Sequence, residues 1–145
     1  MITDVFQLRT RYGEVDQMGY VYHANYVIYC HQARNELLRK LGLDEAELEN
    51  NQIILPVISF DIKYNKPAHF DELIAIKTII KEMPKARFNF EFEIKNELNT
   101  LLCKAKSTVL FVNSESRLPK RIPDFIHKIL KSNFKNTSHE TNSTY

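Results

Sequence analysis

An amphipathic helix stands near the start of this 145-residue chain, after one predicted strand and before four more. It runs from about Asn25 to Leu41, and apolar or small side chains recur along one face at the spacing of an α-helix. The stripe consists of Tyr26, Cys30, Ala33, Leu37 and Leu41, widened by Val27 and Leu38. Gly42 is a natural helix end. A helix with so wide an apolar face must be covered, and a curved sheet can cover it.

Alternating apolar and polar residues predict strands on both sides of this helix. The predicted strands are 5–12, 57–64, 73–81, 87–95 and 101–112. In the fourth, Phe88, Phe90 and Phe92 alternate with polar side chains. Short links containing Pro or Asn join the later strands, so consecutive strands should pair antiparallel. The pattern therefore predicts an α+β fold with an antiparallel sheet wrapped around a long central helix.

Two further helices are predicted. Asp44 and Glu47 have the spacing of a capping box, which indicates a short helix ending near Asn50, with a loop or lid after it. Asp124 opens a last helix. Residues 136–145 are polar throughout, and we expect a disordered tail there. No linker divides the rest, so residues 1–135 should form a single domain.

Composition excludes several classes of function. The chain is 43% hydrophobic and 26% charged, which is ordinary for a globular protein. Its net charge of +2 is small and spread along the chain, so no nucleic-acid partner is expected. No apolar run approaches the roughly 20 residues of a transmembrane helix, and the first residues lack the pattern of a signal peptide. We expect a cytoplasmic protein without a transmembrane segment.

Sulfur, serine and metal chemistry are not indicated. Cys30 and Cys103 are expected to be reduced structural residues, and His31 points about 100 degrees away from Cys30 on the helix. A Gly-x-Ser-x-Gly motif is absent. The five histidines, at positions 23, 31, 69, 127 and 139, show no metal-ligand spacing. No metal or cofactor is therefore predicted.

The turn before the central helix carries the candidate chemistry. It places Asp16, Gly19 and His23 just before a helix start, where unpaired N–H groups could hold a carbonyl oxygen that gains negative charge. Asp16 would attack the carbonyl or activate water. The alternatives are that Asp16 is only a turn residue and that the His23 side chain only supports the helix start. Glu14 is expected to be a structural partner of Arg11 or Arg34.

These residues resemble the hotdog-fold acyl-CoA thioesterases of the 4-hydroxybenzoyl-CoA thioesterase and YbgC-like group. The similarity spans roughly residues 3–132. Its first motif consists of Tyr12, Glu14, Asp16, Gly19, Val21, Tyr22, His23, Tyr26, Ala33, Arg34 and Gly42. Its later landmarks are Tyr64, Lys66, Pro67, Ala68 and Asp71, and then Lys120, Arg121, Ile122 and Pro123. The resemblance implies a sheet of about five to six strands, a homodimer or homotetramer, and active sites at the dimer interface.

The resemblance also implies roles for particular residues. Asp16 corresponds to the family's nucleophile or general base, and the backbone N–H of His23 to its carbonyl-polarising donor. The expected catalytic residues are thus Asp16 and His23. The residues expected to line the substrate site are Gly19, Val21, Tyr22, Asn25 and Tyr26, although Tyr26 also begins the apolar stripe and a core role is the alternative for it. The family binds coenzyme A phosphates with cations at strand ends, and the candidates are Lys66, Lys85 and Arg87. The alternative for each is an ordinary solvated surface charge.

Two departures from the family pattern bear on the chemistry. Many relatives carry an acidic residue just before the Ala-Arg pair, where this chain has Gln32. Many also have a glycine before the threonine of the last strand, where this chain has Ser107. The first departure leaves Asp16 as the sole candidate acid. The predicted function is hydrolysis of an acyl-CoA or acyl-carrier thioester; the alternatives are a hotdog dehydratase or hydratase and a non-catalytic acyl-thioester or lipid binding module.

Overall fold

One antiparallel sheet packs against a long helix, which confirms the predicted α+β architecture. The sheet has seven strands and not the predicted five to six, because two strands of only two residues pair with the longest strand. The computed structural model describes the backbone of residues 1–143 and the side chains of residues 1–134. The strands are β1 (Ile2–Arg9), β2 (Ile53–Ile54), β3 (Val57–Tyr64), β4 (Leu73–Ile80), β5 (Arg87–Asn96), β6 (Leu101–Asn113) and β7 (Pro119–Lys120). The helices are α1 (Ala24–Lys40), α2 (Glu45–Asn50) and α3 (Asp124–Ser143).

The long strands lie in the order β1, β4, β5, β6 and β3. Strand β6 has 13 residues and is long enough to pair with β5 on one side and with β3 and β2 on the other. Strand β3 therefore forms one edge of the sheet, and β1 forms the opposite edge. A register shift between Val57 and Ser59 bends the start of β3.

The core lies between α1 and the concave face of the sheet. The alternation predicted for β5 is confirmed, because Phe88, Phe90 and Phe92 are all buried. The helix stripe is also confirmed in the main, with Tyr26, Cys30, Ala33, Leu37 and Leu38 buried. Val27 is a correction to the predicted stripe, since its side chain is 37% exposed.

Helix α1 ends where the sequence predicts. Gly42 has φ of 82°, a backbone conformation that favours glycine. Its N–H donates to the carbonyl of Arg39 at 3.0 Å, and the N–H of Leu43 donates to the carbonyl of Leu38 at 2.7 Å. Helix α2 begins as predicted at Asp44, whose carboxylate accepts from the N–H of Glu47 at 2.9 Å.

The first strand is displaced from its predicted range. It occupies Ile2–Arg9 instead of residues 5–12, and Tyr12 lies in a short 3₁₀ turn, Tyr12–Glu14, where it is exposed. The cause is local, because a carboxylate oxygen of Glu14 accepts from the N–H of Arg11 at 2.7 Å and closes the turn. Polar and apolar residues alternate into this turn, so periodicity alone could not locate the strand end.

The ends of the domain differ in detail from the prediction. The segment after α2, predicted as a loop or lid, contains β2, which pairs with the end of β6. Helix α3 begins at Asp124 as predicted and buries Ile126 and Leu130. The predicted disordered tail, 136–145, lies outside the residues whose side chains are described, and it stays a prediction. Within the described part of the chain, no helix is long and apolar enough to cross a membrane.

Candidate active site

The loop that carries Asp16 is closed by hydrogen bonds at both ends. The Oδ1 atom of Asp16 accepts from the N–H of Met18 at 2.9 Å and from the N–H of Tyr20 at 3.2 Å. The N–H of Asp16 donates to the carbonyl of Tyr20 at 2.7 Å. Gly19 has φ of 80°, which this tight reversal requires and which other residues adopt only with strain. The loop thus fixes one carboxylate oxygen of Asp16 and leaves Oδ2 without a partner in the described residues.

A buried tyrosine supports the segment that follows Asp16. The hydroxyl of Tyr26, on α1, accepts from the N–H of Ala68 at 2.9 Å. The carbonyl of Ala68 in turn accepts from the N–H of Val21 at 2.9 Å. Both Tyr26 and Val21 are almost fully buried. Tyr26 therefore holds the chain before α1 in place from inside the core.

Glu14 ties the preceding turn to the same helix. Its Oε1 atom accepts from the hydroxyl of Tyr29 at 2.8 Å, and its backbone carbonyl accepts from the side-chain amide of Asn25 at 3.0 Å. The predicted pairing with Arg11 is present only as a long contact of 4.0 Å, and Arg34 makes none with it. Asn25 is predicted to bind substrate, but its side-chain amide donates one hydrogen bond to the protein backbone.

The start of α1 presents unpaired backbone donors. Within the described residues, the N–H groups of His23 and Ala24 donate to no protein acceptor, as expected for the first residues of a helix. The imidazole of His23 is exposed and makes no hydrogen bond. Its carbonyl accepts from the hydroxyl of Tyr64, at the end of β3, at 3.0 Å.

Asp16 and the helix start line one cleft of about 350 Å³. The cleft is lined by Asp16, Met18, Tyr20, Val21, His23, Tyr26, Tyr64, Asn65, Lys66 and Pro67. Five residues singled out in the sequence are therefore brought together: Asp16, Val21, His23, Tyr26 and Lys66. Gly19, Tyr22 and Asn25, also predicted for the substrate site, are neighbours in sequence but not part of its lining.

Tyr64 is one of five cleft residues that sequence reasoning did not assign to the site; the others are Met18, Tyr20, Asn65 and Pro67. It was recognised only as a landmark of the family pattern. The available signal was its position at the end of a strand, followed by Asn65, Lys66 and Pro67, because binding residues concentrate where strands end in loops.

Lys85 and Arg87 lie in a different cleft of the same chain. That cleft is about 650 Å³ and also includes Lys81 and Lys106. Arg87 pairs with Leu110 of β6, whereas Tyr64 pairs with Cys103 of the same strand. Seven residues of β-strand separate these positions, which corresponds to about 23 Å. Within the described chain, Lys85 and Arg87 therefore lie far from Tyr64 and from the cleft that contains Asp16.

Other reactive groups are unsuited to catalysis or metal binding. Burial raises the pKa of the Cys30 thiol and raises that of Cys103 to about 12, so both thiols stay protonated and unreactive. Burial also lowers the pKa of Arg34, whose guanidinium lies 5.9 Å from the centre of the Phe90 ring. Among the described residues, no three His, Cys, Asp or Glu side chains are grouped so that they could hold a metal ion.

Comparison with known proteins identifies the family. The model of the thioesterase-like superfamily matches residues 10–130, which include every residue of the cleft. The chain belongs to the thioesterase-like superfamily. Among its curated relatives is YneP of Bacillus subtilis, 33% identical over 123 residues, which cover 82% of this chain and 89% of YneP. The acyl-CoA thioester hydrolase YbgC of Escherichia coli O157:H7 is 32% identical over 128 residues, which cover 87% of this chain and 96% of YbgC.

Solved structures agree with this membership of the superfamily. The DHNA-CoA thioesterase of Staphylococcus aureus superimposes with a TM-score of 0.84 at 26% identity, over 100% of this chain and 97% of that one. The Thermus thermophilus protein TT1821 gives a TM-score of 0.82 at 29% identity, over 88% of this chain and 97% of that one. The predicted hotdog fold is therefore confirmed.

Proposed function

We propose that this member of the superfamily hydrolyses acyl-CoA thioesters to a free carboxylic acid and coenzyme A. The observation that carries the proposal is that the carboxylate of Asp16 lines one cleft together with His23, at the start of a helix whose first N–H groups are unpaired within the described residues. A carboxylate and such N–H groups are sufficient for hydrolysis of a thioester, which needs little help from an acid. The leaving thiol has a pKa near 8.5 and departs as a thiolate. Membership of the family and the acyl-CoA thioester hydrolase YbgC among its relatives support the same chemistry.

Asp16 is proposed as the group that attacks the thioester or activates water. Its Oδ1 atom is held by two backbone N–H groups, so the carboxylate has one defined orientation. The Oδ2 atom is then available to remove a proton from water or to bond to the carbonyl carbon. Both routes release the same products, and the geometry favours neither.

The start of α1 is proposed to stabilise the negative charge on the carbonyl oxygen. The N–H groups of His23 and Ala24 point out of the helix end, and the helix dipole adds to their effect. Loss of one donor of this kind typically raises a reaction barrier by about 3 kcal/mol. Of His23, this mechanism uses the backbone N–H; the exposed imidazole is free to contact substrate.

The remaining predicted residues are proposed to bind the two parts of the substrate. Val21 and Tyr26 offer apolar surface to the acyl group in the cleft, and Gly19, Tyr22 and Asn25 shape its entrance. Lys66 lies in the cleft, which supports a role for it in binding coenzyme A phosphates. Lys85 and Arg87 lie about 23 Å away along the sheet, so we propose that they serve the active site of a second subunit.

We propose a homodimer, or a homotetramer built from it, in which β3 pairs with its copy. The free edge of β3 exposes Val57 and Ile58, by 49% and 46%, and α1 exposes Ile28 by 58%. An unpaired edge of this kind tends to associate with another strand. The opposite edge, β1, exposes one apolar side chain, Val5, by 52%, among polar side chains such as Thr3, Gln7 and Arg9.

A thiol-release assay with aliphatic and aromatic acyl-CoAs and an acyl-carrier thioester tests the proposal. Stoichiometric release of free thiol and carboxylic acid is expected. Hydration or dehydration of enoyl or hydroxyacyl thioesters without thiol release would instead identify a dehydratase. Tight binding of the thioesters without any turnover would identify a binding module. The absence of an acid at Gln32 argues against the dehydratase, and the free carboxylate oxygen of Asp16 argues against simple binding.

A further inference from the structure

The hydroxyl of Tyr64 is bound to the peptide group that begins the central helix. It donates to the carbonyl oxygen of His23 at 3.0 Å, and the N–H of Tyr26 donates to the same oxygen at the longer distance of 3.3 Å. The same peptide group carries the N–H of Ala24, because the carbonyl of one residue and the N–H of the next share a single plane. This N–H has no acceptor within the described residues. Tyr64 therefore binds the carbonyl oxygen of a peptide group whose N–H is free to donate.

Two effects of this contact follow from hydrogen-bond chemistry. A donor on the carbonyl oxygen fixes the plane of the peptide, and thus the direction in which the Ala24 N–H points. It also withdraws electron density toward the oxygen, which makes the N–H a stronger donor, because consecutive hydrogen bonds polarise one another. Both effects would strengthen as a carbonyl oxygen in front of the helix gains charge.

The surroundings of Tyr64 keep its hydroxyl in this position. The ring packs edge-on against Tyr26, with 5.4 Å between ring centres, and against the imidazole of His23 at 6.3 Å. The backbone behind it is fixed, since the N–H groups of Asn65 and Lys66 both donate to the carbonyl of Leu102, at 2.8 and 3.1 Å. A phenol keeps its proton at neutral pH, so the partly exposed Tyr64 hydroxyl remains a donor.

We propose that Tyr64 is a positioning residue for the oxyanion site, one that orients and polarises the His23–Ala24 peptide without contacting the reacting atoms. The inference rests on the proposed thioester hydrolysis and adds to it the residue that holds the donor in place. It connects the edge strand β3 to the chemistry at the start of α1. A structural change at the β3 edge would affect the reaction by altering the hydrogen bond between Tyr64 and His23.

The test replaces Tyr64 with Phe, which keeps the ring and removes only the hydroxyl. A neutral hydrogen bond contributes about 1 kcal/mol, so kcat should fall about 5-fold while KM stays within about twofold. Tyr12→Phe is the matched control, because Tyr12 is an exposed tyrosine outside the cleft, and it should leave kcat and KM unchanged.

A spectroscopic measurement separates positioning from other roles. The thioester carbonyl of the acyl-CoA that binds most tightly is labelled with ¹³C and bound to the Asp16→Asn variant, with and without Tyr64→Phe. Infrared difference spectra should show the carbonyl stretch at lower wavenumber in the bound than in the free thioester. The shift should be smaller when the Tyr64 hydroxyl is missing.

The outcomes are distinguishable. An unchanged kcat and an unchanged carbonyl shift in the Tyr64→Phe variant would overturn the inference. A rise in KM alone, with the full carbonyl shift, would also overturn it and would assign Tyr64 to substrate binding. If the wild-type protein released no thiol from any thioester, the proposed function would fail. The carbonyl shift would still decide the role of Tyr64, because it requires binding and no turnover.

Discussion

The hydroxyl of Tyr29 donates a 2.8 Å hydrogen bond to Oε1 of Glu14, which also accepts from the N–H of Arg11. This contact joins the buried face of α1 to the turn two residues before Asp16. Burial and the neighbouring carboxylate both raise the pKa of the Tyr29 phenol. The position of the Asp16 loop therefore depends on a side chain inside the core.

Tyr29→Phe should destabilise the protein by about 2 kcal/mol, because it removes a hydrogen bond to a charged group. The midpoint of urea unfolding should fall, and kcat should fall with it as the Asp16 loop loses its anchor. Tyr12→Phe, an exposed tyrosine with no such bond, is the control for stability. A midpoint equal to that of the wild type would show that the Tyr29 contact does not stabilise the turn.

Asp16→Asn should lower kcat at least about 100-fold while folding and coenzyme A affinity remain close to the wild type. The amide keeps the size of the carboxylate and an oxygen that can accept from Met18 and Tyr20, but it cannot act as base or nucleophile. Steady-state thiol release measures the effect. Glu97→Gln, at an exposed turn, is the control for a lost charge. Turnover near the wild-type rate would remove Asp16 from the mechanism.

Ile58→Glu should dissociate the proposed dimer, because it replaces an exposed apolar side chain of the β3 edge with a charge in both copies. Val5→Glu is the matched control, since Val5 is exposed to a similar extent on the opposite edge, β1. Sedimentation velocity at micromolar concentration should give a dimer for the wild type and Val5→Glu, and a monomer of about half the mass for Ile58→Glu. An active wild-type monomer of 17.1 kDa would refute the proposal.

KM for acyl-CoA should rise with salt and with Lys66→Ala, because both weaken the attraction between phosphate and cation. The Debye length falls from about 10 Å at 0.1 M salt to about 3 Å at 1 M. A pantetheine thioester, which lacks the nucleotide phosphates, should respond more weakly to both changes. Lys77→Ala, an exposed lysine on β4, is the control. The ranking of acyl groups by KM should not change with salt. If KM for the two thioesters rose equally with salt, the basic residues would be excluded from nucleotide binding.

Stability should fall above about pH 9. Burial raises the pKa of Cys30, Cys103, Tyr26 and Tyr29. The folded state therefore keeps protons that the unfolded chain loses, so stability is full below the ordinary pKa of each group and declines as the pH rises past it. Between pH 9.5 and 11 the free energy of unfolding should decline less steeply in Cys103→Ala than in the wild type, by about 1 kcal/mol per pH unit. Urea unfolding across this range measures the slope, and an unchanged slope would contradict the prediction.

Local patterns in the sequence determined the elements of this fold. The helix stripe, the alternation of β5 and the cap at Gly42 each depend on side chains a few residues apart, which share a face because of the helix and strand periods. Strand β3 was predicted without error, and β4, β5 and β6 to within one residue at each end. The Asp16 motif, too, is contained in one short segment, so its membership of the cleft could be predicted.

The tertiary structure decided what depends on contacts between distant segments. The two-residue strand β2 forms because it pairs with the end of β6. Strand β1 ends where it does because the Glu14 turn follows it. Tyr64 reaches the site from 41 residues along the chain, through its bond to His23. The same register along β6 places Lys85 and Arg87 far from Asp16. Periodicity reports which face a residue occupies, whereas strand pairing and register decide which faces meet, and those depend on the whole sheet.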